Sequence, residues 1–180
     1  MKQTVSNSRC IMNEIVLPND TNSLGNLKGG RLLHWMDICA AISAQRHTGK
    51  ICVTAAVDNV EFHSAIRNGE IVTLESQVNR VFNTSMEIEI NVWAENTLER
   101  THRKSNRAFY TFVALDENGK PAKVAPVIPE TESERKKHDD ALTRRELRLL
   151  ISGRIELDDA PGLKDDLISY LKHDDIDEYK

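Results

Sequence analysis

Residues 32–42 read LLHWMDICAAI, the most apolar run in a chain of 180 residues, with one carboxylate, Asp37, near its middle. Residues from about 30 to 47 are rich in Leu, Ala, Met and Gln, which predicts a helix that stops at Thr48 and Gly49. Arg46 and His47 in its last turn complement the helix dipole. Turned at roughly 100° per residue, this helix does not separate into an apolar stripe and a polar face. Leu33, Ala40 and Ala44 lie close to Asp37 in angle and Ala41 flanks it, while Ile38 and Ile42 interrupt the side that carries Arg31, His34 and Gln45. A helix apolar nearly all round has to be enclosed by something.

The remaining sequence supplies the enclosure. Residues 51–62 (ICVTAAVDNVEF), 71–82 (IVTLESQVNRVF) and 84–95 (TSMEIEINVWAE) are β-branched and alternate in polarity, and 107–115 (RAFYTFVAL) is a further strong strand closed by a turn at DENGK. Residues 9–17 form a candidate first strand, followed by the turn-rich PNDTNSLGNLKGG. One strand, one helix and four strands predict an α+β fold, an antiparallel sheet wrapped around one central helix. From about residue 129 the chain becomes charged, with a helical segment near 142–151 and an amphipathic stretch at 163–171. The expected organisation is one domain over 1–128 and a C-terminal extension over 129–180, with one or two helices and a loosely held tail.

Composition narrows the function classes. Hydrophobic residues make up 39% and charged residues 29% of the chain, as in globular proteins, and no apolar run approaches the length that crosses a bilayer. No basic segment precedes an apolar core near the N-terminus, so no secretory signal is expected. Three cysteines, Cys10, Cys39 and Cys52, without paired spacing suit reduced thiols in a cytoplasm and no metal site. A net charge of −4 with no basic, aromatic-interleaved patch argues against nucleic acid, and nothing points to a membrane partner.

Two features suggest chemistry. Burying Asp37 unpaired would cost several kcal/mol, by a rough estimate, so it is either solvated beside His34 or paired and used. Gly29 and Gly30 at the helix N-terminus permit close backbone approach and expose N–H groups at the positive dipole end, an arrangement that stabilises an oxyanion. They could equally serve only a tight turn.

The series N-x-x-G-x-x-x-G-G-x-L-L-x-W-M-D, from Asn22 to Asp37, resembles the hotdog-fold acyl-CoA thioesterases, in the branch of the bacterial short-to-medium-chain and the mammalian brain and cytosolic acyl-CoA hydrolases. The resemblance continues through Arg46-His47, VTAAVDNVEFHSAIRNGEIV (53–72), NTSMEIEI (83–90), AFYTFVALDENGKP (108–121) and VIPETESER. It implies a hotdog, a sheet wrapped on a central helix, that works as a dimer with sites at the interface, further assembled to a homohexamer. It also implies hydrolysis of acyl-CoA to fatty acid and CoA, in fatty acid metabolism, with no cofactor beyond the CoA of the substrate.

Carried onto this chain, the resemblance makes Asp37 the general base, or alternatively a nucleophile, and Asn22 of the partner subunit its counterpart. Backbone N–H groups of Gly30 and Arg31 would form the oxyanion hole. His63, Asn83, Thr84, Ser85 and Arg107 are the candidates for CoA, with Arg67, Arg80, Arg103 and Lys104 as further cations. Some relatives have Pro where this chain has Ala65. Trp35, Met36 and Ile38 are candidate walls of an acyl tunnel. Competing readings are a thiol nucleophile at Cys39 with His34 or His63, and a non-enzymatic acyl-CoA sensor.

Overall fold

The computed structural model describes residues 3–58, 60, 62 and 64–165. The chain divides into two compact units, Met1–Glu130 and Thr131–Lys180. The first contains five strands, β1 (Cys10–Ile15), β2 (Ile51–Val57), β3 (Ile71–Phe82), β4 (Ser85–Asn96) and β5 (Thr101–Leu115), and two helices, α1 (Val5–Ser8) and α2 (Gly29–Thr48). The strands form one sheet in the order β1-β3-β4-β5-β2, antiparallel throughout.

This order explains the long helix. The hairpins β3–β4 and β4–β5 build the centre, and β1 and β2, neighbours in sequence, lie at opposite edges. The connection between them must cross the whole sheet, and a helix of 20 residues spans about 30 Å. On the way it buries Leu32, Trp35, Met36, Cys39, Ala40, Ser43, Ala44 and His47, a stripe at helical spacing, on the sheet's inner face. There Leu74, Val78, Met86, Ile88, Ile90, Val92, Tyr110 and Phe112 are almost wholly buried. Each large aliphatic side chain so buried contributes about 1.5–3 kcal/mol. Within the protomer α2 is therefore enclosed on one stripe only. Ile38 remains 39% exposed and Asp37 half-buried, where the apolar wheel predicts full enclosure.

Hydroxyls pin the helix to β3. Ser76 donates to the Cys39 carbonyl at 2.8 Å and meets Ser43 Oγ at 2.7 Å, with Cys39 Sγ 3.2 Å from Ser76 Oγ. Gly49 ends the helix in the left-handed region, φ 63°, and its N–H reaches the Gln45 carbonyl at 2.8 Å. The start is different. Lys28 at the N-cap offers no side-chain acceptor, so the first-turn N–H groups are left uncapped by any side chain.

Several boundaries differ from the sequence reading. β2 ends at Val57, β1 is shorter at both ends, and β5 begins six residues earlier than 107 because its polar first half pairs with β4 through a bulge at Val92/Trp93. The unforeseen α1 folds on itself through Ser8 Oγ, which donates to the Val5 carbonyl at 2.7 Å and accepts from Val78 N at 3.0 Å.

The second unit holds α3 (Glu132–Ile151), twice the length predicted. Its first half is charged all round and gives no periodicity, but Thr131 and Glu134 form a reciprocal capping box, each bond 3.1 Å. Within this unit the carboxylate of Glu146 accepts the Leu163 N–H at 2.8 Å. Of the amphipathic stretch predicted at 163–171, and of the tail, residues from 166 onward lie outside the described residues.

Candidate active site

The chain carries two half-sites at different places on α2. The first surrounds its N-terminus. Asn22 heads a tight turn in which its Oδ1 accepts the N–H groups of Leu24 (2.9 Å) and Asn26 (3.2 Å), and its amide nitrogen donates to none of the described residues. The turn docks on the loop after β2 through Leu27 N to Ile66 O (2.7 Å) and Asn68 N to Gly25 O (3.0 Å). Between these segments lies a half-open pocket of about 370 Å³, lined among others by Asn22, Gly29, Leu32, Phe62, Ser64 and Asn106. The Ser64 hydroxyl oxygen is buried there without a hydrogen-bond partner among the described residues.

The two glycines differ in role. A Cβ on Gly29 would stand 3.2 Å from Phe62 Cζ, so glycine lets the aromatic ring lie against the helix end. Gly30 has open space there, and its N–H meets no acceptor among the described residues. Arg31 is a correction. Its N–H is engaged with the Lys28 carbonyl at 3.0 Å, which removes it as an oxyanion donor. Its side chain pairs with buried Asp20 at 2.8 Å and lies 5.3 Å from the centre of the Trp35 ring.

The second half-site is two turns along the helix. Thr54, on the edge strand β2, donates its hydroxyl to Asp37 Oδ1 at 2.6 Å, and Oδ2 is left without a partner among the described residues. Beneath lies Tyr110, whose hydroxyl donates to the Leu33 carbonyl at 3.5 Å. Burial, and then the negative charge of Asp37, push the Tyr110 phenol up to about 12, so it stays a neutral donor. Sequence reasoning missed Thr54 and Phe62. Both stand in the quoted 53–72 stretch, but only contact with Asp37 or Gly29 singles them out.

Asn22 and Gly30 thus stand together, and Asp37 stands apart from them within one chain. The other candidates are placed as follows. Asn83 (φ 59°), Thr84 and Ser85 make the β3–β4 turn. The Asn83 and Thr84 carbonyls accept Val124 N and Ala114 N at 2.8 and 3.0 Å, and Ser85 Oγ donates to Phe82 O at 3.4 Å. Arg107 Nε binds Glu89 at 2.7 Å, and its guanidinium lies 4.8 Å from the Phe109 ring centre. His63 lies outside the described residues. Trp35 and Met36 face the sheet, so of the expected tunnel wall only Ile38 is exposed. Cys39 is wholly buried and its thiol is pushed up to about 12, by burial above all, which removes it as a nucleophile. Among the described residues no group of three His, Cys, Asp or Glu side chains could hold a metal.

Arg103 braces the first half-site. Its guanidinium forks onto Glu70 at 2.8 and 2.7 Å and donates to the Ala65 carbonyl at 2.7 Å, while Glu70 also accepts the Arg67 N–H. The hydrogen-bonded guanidinium holds the Glu70 carboxyl below the usual carboxylate range. A carboxyl lowered in the folded state stabilises fully above its unfolded pKa of about 4.3, and that stability is lost as pH falls through the folded value. Glu70→Gln is expected to cost about 2–3 kcal/mol near neutrality, the pair being buried on one side only. Denaturant titrations at pH 7 and pH 3.5 check this, since the difference between wild type and variant should shrink at the lower pH.

A five-stranded antiparallel sheet curled on one long helix, with a pocket at that helix's uncapped N-terminus, defines a hotdog-fold protein. Residues 24–101 match the thioesterase superfamily. The chain is 41% identical over 137 residues to the uncharacterized acyl-CoA thioester hydrolase YkhA of Bacillus subtilis, covering 76% of this chain and 80% of that protein. A solved hexameric acyl-CoA thioesterase in its apo form is 38% identical with a TM-score of 0.80, over 83% of this chain and 96% of its own. The acyl-CoA hydrolase of Staphylococcus aureus, solved with butyryl-CoA and CoA, is 32% identical with a TM-score of 0.76, over 94% and 98% of the two chains. Its solved variants include replacements of an aspartate, a threonine and an asparagine by alanine. The chain spans about a quarter of the length of the mouse acyl- and acetyl-coenzyme A thioesterases it also matches. It belongs to the thioesterase superfamily.

Proposed function

We propose that two copies of this chain form the catalytic unit, and that it hydrolyses acyl-CoA to a carboxylic acid and CoA. The observation that carries this is the separation of the half-sites. Asp37 and Thr54 lie beside the unpaired edge of β2, where Ile38, Ile51, Val53 and Val57 are exposed. Antiparallel pairing of β2 with the β2 of a second copy extends the sheet, buries these side chains and lays the two helices side by side in opposite directions. Asp37 of one copy then approaches the helix N-terminus of the other. In the Staphylococcus aureus enzyme the three substituted residues have the spacing of Asn22, Asp37 and Thr54 here, which supports the same grouping.

The chemistry follows. Thr54 holds one oxygen of the Asp37 carboxylate, and the other takes a proton from water as the water oxygen adds to the thioester carbonyl. The resulting oxyanion is stabilised by the first-turn N–H of Gly30 and the helix dipole of the partner, with Asn22 orienting the carbonyl or the water through its amide. The C–S bond then breaks, and the proton held by Asp37 passes to the CoA thiolate. The reaction balances with water alone. For CoA we keep Ser85, in the β3–β4 turn, and Arg107, which follows the pocket residue Asn106 in sequence, as candidates. The dimers would assemble further to a hexamer, as in the solved hexameric relative. Three buried, unpaired thiols suit a reducing compartment, so we place the enzyme in the cytoplasm. Among the described residues no helix is long and apolar enough to cross a membrane.

Release of free CoA thiol from a series of acyl-CoAs, with wild type and Thr54→Val, tests the proposal. Wild type is expected to release thiol, and the variant to turn over about 10- to 100-fold more slowly with KM little changed, because the carboxylate loses its positioning bond. Binding of acyl-CoA with no thiol released by wild type would replace hydrolysis by the sensor reading.

A further inference from the structure

Tyr110 differs from the other large side chains of the sheet's inner face in carrying a hydroxyl. Its cross-strand neighbours are Ile88 on β4 and Val57 on β2, and Phe112 stacks beside it with ring centres 6.5 Å apart. At 1% exposure its ring belongs to the core. The hydroxyl is poorly employed there. Among the described residues it has one acceptor, the Leu33 carbonyl at 3.5 Å, well beyond the roughly 2.8 Å of a good O–H···O bond. A phenylalanine would fill the same space and leave no desolvated hydroxyl to satisfy. The position of that carbonyl gives the hydroxyl a second neighbour. In an α-helix the N–H of residue 37 bonds the carbonyl of residue 33, and every Cβ leans toward the N-terminus, so the Asp37 side chain overhangs the turn that holds the Leu33 carbonyl. The phenol therefore lies next to the carboxylate. It carries the mark of that charge, for burial first and then Asp37 raise its pKa.

We propose that Tyr110 is a positioning residue for the base, its phenol hydrogen turning between the Leu33 carbonyl and Oδ1 of Asp37. It sits on the carboxylate while Asp37 is ionised and returns to the carbonyl once Asp37 is protonated. The assignment rests on the hydrolytic reading given above, since Asp37 is the group positioned. Thr54 already reaches Oδ1 from β2. A carboxylate oxygen accepts two hydrogen bonds, so a second donor arriving from β5 displaces nothing. Held at one oxygen from two strands, the carboxylate keeps Oδ2 turned to the water that it deprotonates. A bond of 3.5 Å to Leu33 is weak enough to give up, and it keeps the hydroxyl partnered when the carboxylate no longer attracts it. Neutral at any working pH, the phenol donates to the base and takes no part in the proton transfer itself.

The test uses the full chain with Tyr110→Phe, which keeps the ring and its packing on Phe112 and removes one hydroxyl. Thiol release from acyl-CoA is expected to fall about 5- to 20-fold in kcat, with KM within about two-fold and the melting temperature at its wild-type value. A second readout needs no turnover. The carbon-13 carboxyl resonance of Asp37, identified by its absence in Asp37→Asn, should titrate about one pH unit higher in Tyr110→Phe, because a donor favours the ionised carboxylate. His34, three residues before Asp37 on α2, is the other titratable side chain on that side of the helix, and β2 contributes the uncharged Thr54. Both are the same in the two proteins, so the difference belongs to Tyr110. An unchanged kcat or an unmoved titration overturns the proposal. A fall in kcat that comes with a lower melting temperature and an unmoved titration marks a hydroxyl that only supports the core, and overturns it equally. A wild type that releases no thiol sinks the hydrolytic reading. The titration then stands alone, a rise sustaining the Tyr110–Asp37 bond and no change overturning it.

Discussion

Asp37→Ala is expected to lower kcat by about 10²- to 10⁴-fold, the range a positioned general base contributes, while mass and melting temperature stay at wild-type values. The separation of the two effects follows from the geometry. Asp37 is half-buried and its one described partner is the hydroxyl of exposed Thr54, so truncation strands no buried polar group. Asp37→Asn sharpens the point. Its amide oxygen can still accept from Thr54, so positioning is retained and only basicity is removed. A near wild-type rate in either variant, with contaminating hydrolase excluded, would refute the assignment of the base.

The second large effect is a recovery. Asn22→Ala and Asp37→Ala proteins, each nearly inactive, should regain about one quarter of wild-type activity when their subunits are exchanged in equal amounts. Isologous dimers place the two half-sites of each active site on different chains. Half of the exchanged dimers are mixed, and each of these has one intact site and one carrying both defects. Were Asn22 and Asp37 to act within one chain, every site in the mixture would keep one defect and no activity would return. Thiol release before and after exchange distinguishes the outcomes, with intact-protein mass spectrometry confirming that mixed dimers formed.

The architecture was legible because its two periodicities are unmixed. Alternation marked β3 and β4 to within a residue, and Gly49 marked the end of α2 because only a residue tolerant of positive φ ends a helix in that way. The site was less legible, for a physical reason visible in α2 itself. Ile38, Ile42 and Ala41 read as core residues, and the wheel therefore enclosed Asp37 with them. In the protomer Ile38 is exposed, and Ala41 and Ile42 are only partly buried where they flank the buried stripe. Hydrophobicity reports that a surface will be covered and says nothing about which chain covers it. Thr54 was hidden differently. In a strand a threonine is ordinary, and its importance comes from a 2.6 Å bond across 17 residues of sequence. Arg103 illustrates the reverse, a cation offered for phosphate whose guanidinium forks onto Glu70 and braces a loop.

The chain's thiols have a practical consequence for the bench. Cys10, Cys39 and Cys52 are all buried, and burial pushes the thiols of Cys39 and Cys52 up, Cys39 to about 12. In a disulfide-exchange colour assay, burial keeps the folded protein's thiols from the reagent, so the chromogen counts liberated coenzyme alone. A slow colour arising without substrate then has another meaning. It times the opening of the core, and one cuvette reports both turnover and unfolding.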